Sequence, residues 1–331
     1  MRLQRIVAVF GVALVVFSGV SACTPTPIVA IPSVSQIVGG TPLKVGTPAV
    51  PDGGVPMEGA LLANVYAAAL NAAGVKAVVV PEDPKDPTLL GQLASGAVDI
   101  VPSYSSMVLQ TLATAAPKAS ATPSPSAAAN NAISSAQVLS ALESALPPSI
   151  SMANATGAED DDSIVVTTVT AEKYQLKTIA DLAKVCDKLA FGGSEEFRTK
   201  DRGLSTLASD YNCIPQSYVA LPNTNSELIK ALLRADIQVA DIHSSSPAIT
   251  DNKLVVLTDN RQIFRPQTVV PLVSDKHVPA DVIGVLNKVS AALNSDELVN
   301  LNRLSMESQF GSLPDVATAW LVEVGLVKAT S

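Results

Sequence analysis

Aromatic residues make up only 4% of this 331-residue chain, a shortage that constrains any ligand held by ring faces. Charged residues are also sparse, at 16% against 47% hydrophobic, which excludes a disordered acidic tail. Lysine and arginine form no cluster of the kind a nucleic-acid binder needs, and the formal charge is −8. Three cysteines and two histidines exclude a typical zinc cluster, and no metal site is expected. Beyond the first two dozen residues no apolar run reaches the ~20 residues of a membrane span. There is no internal repeat. The nucleophile elbow G-x-S-x-G, the P-loop, H-E-x-x-H and G-x-G-x-x-G are all missing. His243 and Ser244 do not make a triad, since neighbouring strand residues point to opposite faces. Glu58 and Asp99 are not recognisably paired. No enzyme and no cofactor are expected.

What is present begins at the amino terminus. Arg2 and Arg5 precede an apolar run from Ile6 to Val20, and small residues lead to Cys23. This is the layout of an export signal over 1–22. Residues 23–40 hold Pro25, Pro27, Pro32, Gly39 and Gly40 and read as a tether. In an exported chain Cys186 and Cys213 fit a disulfide. Two separate buried thiols are the alternative.

From Leu43 onward strands and helices alternate. Strands are expected at Leu43–Gly46, Val75–Val80, Val98–Pro102, Ile164–Val169, Lys188–Gly192, Ser217–Ala220, Ile237–Ile242, Leu254–Leu257 and Thr268–Val273. Helices are expected at Glu58–Ala73, Thr88–Ser95, Thr178–Val185, Gly203–Asp210, Ser226–Arg234, Ala280–Leu293, Ser295–Ser305 and from Asp315 to Val324. The fold class is α/β with mostly parallel sheets. A Pro/Ser/Ala-rich stretch over about 117–131 reads as a low-complexity insertion. The acidic run Glu159 to Asp162 reads as a solvated turn.

Several segments resemble a known family. Val20-Ser21-Ala22-Cys23 resembles a bacterial lipobox, which implies cleavage before Cys23 and lipid on its sulfur; an ordinary signal with a chance cysteine is the alternative. Lys177-Thr178-Ile179-Ala180-Asp181-Leu182-Ala183 resembles a segment of the substrate-binding proteins of glycine betaine/choline-type ABC importers. Val98 to Tyr104, Glu196-Phe197 with Gly203-Leu204 and Asp210-Tyr211, Val255 to Asn260, and Val269 to Val273 follow in the family's order. The resemblance spans roughly 43–327. It implies a two-lobed clamshell of the type II periplasmic-binding-protein kind, with two hinge crossings and a ligand cleft. Lobe 1 is then placed at 41–161 plus 267–331 and lobe 2 at 162–266. The implied partners are a small solute, an ABC permease and the membrane through lipid on Cys23. The implied location is the outer face of the bacterial cytoplasmic membrane, as a monomer.

Quaternary ammonium ligands in this family sit in an aromatic cage, because a cation without a proton to donate is held by ring faces. Ten aromatics lie beyond Cys23. Tyr66 and Trp320 fall on helix faces and read as core. Tyr104 matches the family's cleft tyrosine, with packing as the alternative, and Phe197 stands between pocket and core. Other matching positions depart from the family: Pro56-Met57-Glu58 lacks its Phe, Ser103-Tyr104-Ser105-Ser106 stands for Glu-Tyr-Thr-Gly, and His243-Ser244-Ser245-Ser246 stands for Tyr-Ser-Thr-Asp. Two cage rings are thus missing, replaced by Pro56 and His243. The expected ligand-binding set is Tyr104, Phe197, Lys200, Met57, Glu58, Ser105, His243, Ser244 and Ser245. Lys200 would hold an anionic group or lie in a solvated loop; His243 would touch ligand or be a satisfied strand-end residue. The expected solute is betaine-like, a polyol or a polyphenol, bound more by hydroxyls than by rings. A cell-surface sensor or scaffold on the same clamshell is the other functional reading.

Overall fold

The computed structural model describes residues 41–81, 89–115, 134–221, 225–307 and 311–328. The signal, Cys23, the tether, the 117–131 insertion and Phe310 lie outside the described residues. Among the described residues two five-stranded sheets organise the fold. The first holds β1 (Leu43–Gly46), β2 (Ala77–Val80), β3 (Ile100–Tyr104), β4 (Ile150–Met152) and β10 (Val269–Ser274), in the order β2-β1-β3-β10-β4. The second holds β5 (Ile164–Thr167), β6 (Ala190–Gly193), β7 (Ser217–Ala220), β8 (Val239–Asp241) and β9 (Leu254–Val256), in the order β7-β6-β8-β5-β9.

The helices in chain order are α1 (Glu58–Ala72), α2 (Leu89–Ser95), α3 (Ser105–Ala115), α4 (Ser135–Ala145), α5 (Thr168–Tyr174), α6 (Ile179–Ala183) and α7 (Glu195–Thr199). Then come α8 (Leu204–Tyr211), α9 (Asn225–Leu233), α10 (Pro247–Asp251), α11 (Ala280–Ala292), α12 (Ser295–Met306) and α13 (Leu313–Glu323).

The pairing is mixed rather than mostly parallel. β1 runs parallel to β2 and β3, and β6 parallel to β7 and β8. β10 is antiparallel to β3 and β4, and β5 antiparallel to β8 and β9. The reason is connectivity. β5 and β10 are the two strands entered directly from the other sheet. The crossing segments arrive at the end where β3 and β8 finish, so each new strand must run back the other way. Glu159 and Thr268 bridge antiparallel where the two crossings lie side by side.

Each sheet buries its own core. In the first lobe α1 is apolar on nearly all sides, with Leu61, Leu62, Val65, Tyr66 and Leu70 fully buried against α11 and α13. Tyr66 and Trp320 are core residues, as expected. The Tyr66 hydroxyl meets Ser290 Oγ at 3.0 Å, and Trp320 Nε1 donates to Glu297 at 2.7 Å, so neither buried polar tip is stranded. In the second lobe Cys186 and Cys213 form the expected disulfide, their Cα atoms 5.4 Å apart. It pins the turn after α6 to the chain leaving α8.

Candidate ligand-binding site

The carboxyl ends of β1 and β3 in one lobe face those of β6 and β8 in the other. Ligands of open α/β sheets bind outside such ends. The loop after β1 reaches across this junction. Ser194 caps α7 by accepting from Phe197 N–H at 2.8 Å, and its hydroxyl donates to Asp52 Oδ2 at 2.7 Å. Gly53 takes φ +92°, and a Cβ there would stand 3.2 Å from the His243 ring. That turn lays the Asp52 carbonyl on His243 Nε2 at 2.8 Å. Farther along, Arg303 of α12 bonds Asp251 at the end of α10, at 2.9 Å.

His243 is buried and satisfied. Nδ1 lies 3.1 Å from the Asp160 carbonyl and 3.2 Å from Asp160 Oδ1. Backbone carbonyls only accept, so both ring nitrogens donate and the ring is an imidazolium. Burial opposes this charge, but Asp160 and then Asp162 hold the His243 pKa well above the ordinary histidine value. The same exchange keeps Asp162 low: burial works against its charge, and His243 and Lys200 outweigh burial.

The rest of the expected set pairs off internally. The Tyr104 phenol donates to Glu58 Oε1 at 2.6 Å, and Tyr104 borders a 150 Å³ cavity with Thr47, Pro48, Leu90 and Met107. Burial, then the charge of Asp160, pushes Glu58 up to about 7. Phe197 is buried, its centroid 6.2 Å from that of Phe264. Lys200 Nζ sits 5.5 Å from the Phe197 centroid and 2.7 Å from Asp162 Oδ1, so its ammonium already has a ring and a carboxylate. Ser105 Oγ donates to the Pro266 carbonyl and accepts from Thr268 N–H. Ser244 Oγ accepts from Asp161 N–H at 2.9 Å. Met57 is half exposed. The set converges on the lobe junction but does not line one cavity. Ser244 faces a second cavity of 430 Å³ on the β9 side of the crossings, lined also by Glu159, Asp161, Asp162, Thr258 and Asp259.

The acidic run Glu159 to Asp162 is not a solvated turn. It is a crossing segment: Asp160 is fully buried, and Asp161 takes the Gln267 N–H at 2.7 Å while burial pushes it up to about 7. The signal was available, since four acids run straight into the buried strand β5. Asp52, Asp241 and Asn302 were also missed. Asp241 ends β8, is buried, and leaves Oδ1 without a hydrogen-bond donor. Burial, then Asp162, lifts its carboxyl well above the usual range.

Among the described residues no helix is long and apolar enough to cross a membrane. Residues 56–323 match the family model of the substrate-binding domain of ABC-type glycine betaine transport systems. A solved glycine betaine/carnitine/choline ABC transporter structure shares the fold at TM-score 0.70 and 18% identity, over 86% of this chain and 99% of the other. Apo YehZ from Escherichia coli does so at 0.66 and 21%, over 87% and 100%. Lactococcal OpuAC, closed around glycine betaine, does so at 0.53 and 13%, over 86% and 96%. The chain belongs to the family of substrate-binding domains of ABC-type glycine betaine transport systems, as the solute-binding component of such an importer.

Proposed function

We propose that this protein captures a hydrogen-donating solute, a polyol or polyphenol, at the lobe junction and delivers it to its permease without doing chemistry on it. In this reading lipid on Cys23 holds it at the outer face of the cytoplasmic membrane, and lobes of 41–161 plus 267–331 and of 162–266 close on the solute. The observation that carries the reading is Lys200 over Phe197. A quaternary ammonium needs that ring face, and the protein's own ammonium is there. Tyr104, the other expected ring, has its hydroxyl committed to Glu58. The polar atom left open at the carboxyl end of β8 is an acceptor, Asp241 Oδ1. A solute hydroxyl can donate to it; a quaternary ammonium cannot.

A thermal-shift panel tests this, with betaine, choline, carnitine, trehalose, other polyols and polyphenols. A ligand at 100 times its dissociation constant adds about 2.7 kcal/mol. Hydroxylated compounds are expected to shift the melt, and Asp241→Asn to weaken them at least tenfold. A shift with betaine or choline alone would overturn the reading.

A further inference from the structure

Three of the four buried side-chain atoms that lack a hydrogen-bond partner among the described residues belong to one place: Asp160 Oδ2, Ser245 Oγ and Asn302 Oδ1. Their residues are at most 1% exposed. Glu58, at the first turn of α1, joins them to one another. Its Oε2 accepts from Asn302 Nδ2 at 2.6 Å, and that same Nδ2 donates to the Ser245 carbonyl at 3.1 Å. Ser245 N–H reaches Asp160 Oδ1 at 3.3 Å. Backbone closes the far side, where a Cβ on Gly54 would stand 3.0 Å from Asp160 Oδ2.

The nest is rich in oxygen, and the Ser245 hydroxyl beside Glu58 is its one uncommitted donor. Both Glu58 oxygens are in hydrogen bonds, with Tyr104 and with Asn302, and above its raised pKa of about 7 the group is a carboxylate. A carboxylic acid at Glu58 would have to donate to the Tyr104 hydroxyl, reversing that bond. Turning the Asn302 amide would also break its bond to Ser245. The charges do not balance either. Glu58, Asp160 and Asp162 face two cations, His243 and Lys200, and Lys200 pairs with Asp162 at 2.7 Å. Asp161 and Asp241 close by add no positive charge. At least one negative charge is left in a place without solvent, and a neutral water cannot cancel it.

We propose that Glu58, Asp160, Ser245 and Asn302 form a buried site for one hard monovalent cation, sodium or potassium. Carboxylate, amide and hydroxyl oxygens are the donors such ions take. Two carboxylates beside an imidazolium leave a single charge to neutralise, which selects a monovalent ion. Among the described residues no group of three His, Cys, Asp or Glu could hold a metal ion, so here the oxygens of Asn302 and Ser245 have to complete the set. The ion would tie α1 and α12 to a crossing segment and to the loop after β8, stiffening the hinge side of the junction.

The test uses the purified protein at pH 8 without solute, so it stands apart from the solute reading. Melting midpoints are followed in sodium, potassium and N-methylglucamine chlorides at matched ionic strength. The expected result is a saturating rise of about 3 °C or more in sodium or potassium over N-methylglucamine. Glu58→Gln should remove the difference between salts. Should that variant fail to fold, Ser245→Ala, which deletes one donor oxygen, should move the half-effect concentration up about tenfold. Superimposed curves in all three salts would overturn the proposal in favour of water or a shared proton. So would stabilisation by calcium chloride, run as a fourth salt, but not by sodium or potassium.

Discussion

Lys200 and His243 are the two residues whose roles differ most from those of exposed basic side chains. Lys200 is about one-fifth exposed and couples Phe197 to Asp162. Removing it takes one of two cationic partners from the Asp162 carboxylate, His243 being the other; losing the partner of a fully buried pair costs about 3–5 kcal/mol. Its partial exposure lowers this to roughly 2 kcal/mol for Lys200→Ala, read from denaturant midpoints. The same variant frees a ring face, so choline should shift its melt more than that of the parent protein. His243 gives one part of the pH dependence. Its folded pKa lies well above the unfolded value of about 6.5. The stability it contributes is therefore complete below about pH 6.5 and is lost as pH rises through the folded value. Imidazole carbon–proton NMR should show a cationic ring still at pH 8; a neutral ring at pH 7 would refute the double donation.

Two elements carry predictions of their own. The disulfide closes 27 residues between the turn after α6 and the exit of α8. Chain entropy gives it about 3 kcal/mol. Reduction, or paired Cys186→Ser and Cys213→Ser, should lower the melting midpoint by roughly 6–12 °C. The start of α1 is the tighter constraint on the site. A Cβ on Gly59 would lie 2.2 Å from the Pro48 carbonyl, with backbone on the other side of the contact. Gly59→Ala must push α1 off the loop that carries Asp52 and Gly53. It should cost about 1–3 kcal/mol by thermal melting and weaken solute binding in the same samples. The long elements were legible because their patterns are strong. The apolar faces of α1 and α11 and the β-branched β2 and β10 follow directly from spacing. The eleven-residue α3 and α4, the short α5, α7 and α10 and the three-residue β4 were not anticipated. Most are too brief for periodicity to register, and α3 starts directly from the last residue of a strand, without a turn signal between them.

At the scale of the whole molecule, the α/β clamshell was readable from alternation and from the order of the family-like segments. The mixed sheets were not, because strand direction at a hinge depends on which lobe the chain comes from. The candidate site was half legible. Tyr104, Phe197, Lys200, Glu58, His243 and the serines do gather at the lobe junction. Their partners were invisible, since Asp52 meets His243 across 191 positions and Glu58 meets Asn302 across 244. Charges that read as solvated in a local window are paired at those distances. The serines that suggested a hydroxyl-lined cleft instead stitch the crossings: Ser105 and Ser106 hold the Pro266 carbonyl, and Ser244 holds the Asp161 amide. The open acceptor is a buried carboxyl oxygen, Asp241 Oδ1. Lobe closure on a ligand works only through stronger binding to the closed state, so the solute must supply the donors.

Isothermal titration of the purified protein with choline, betaine and a graded series of polyols and polyphenols tests that claim most directly. The account predicts saturable binding of a hydroxylated compound, weakened at least tenfold by Asp241→Asn, and no heat from choline or betaine. Micromolar binding of choline or betaine to the unaltered protein would contradict it, because Lys200 would then have to leave Phe197 to admit them.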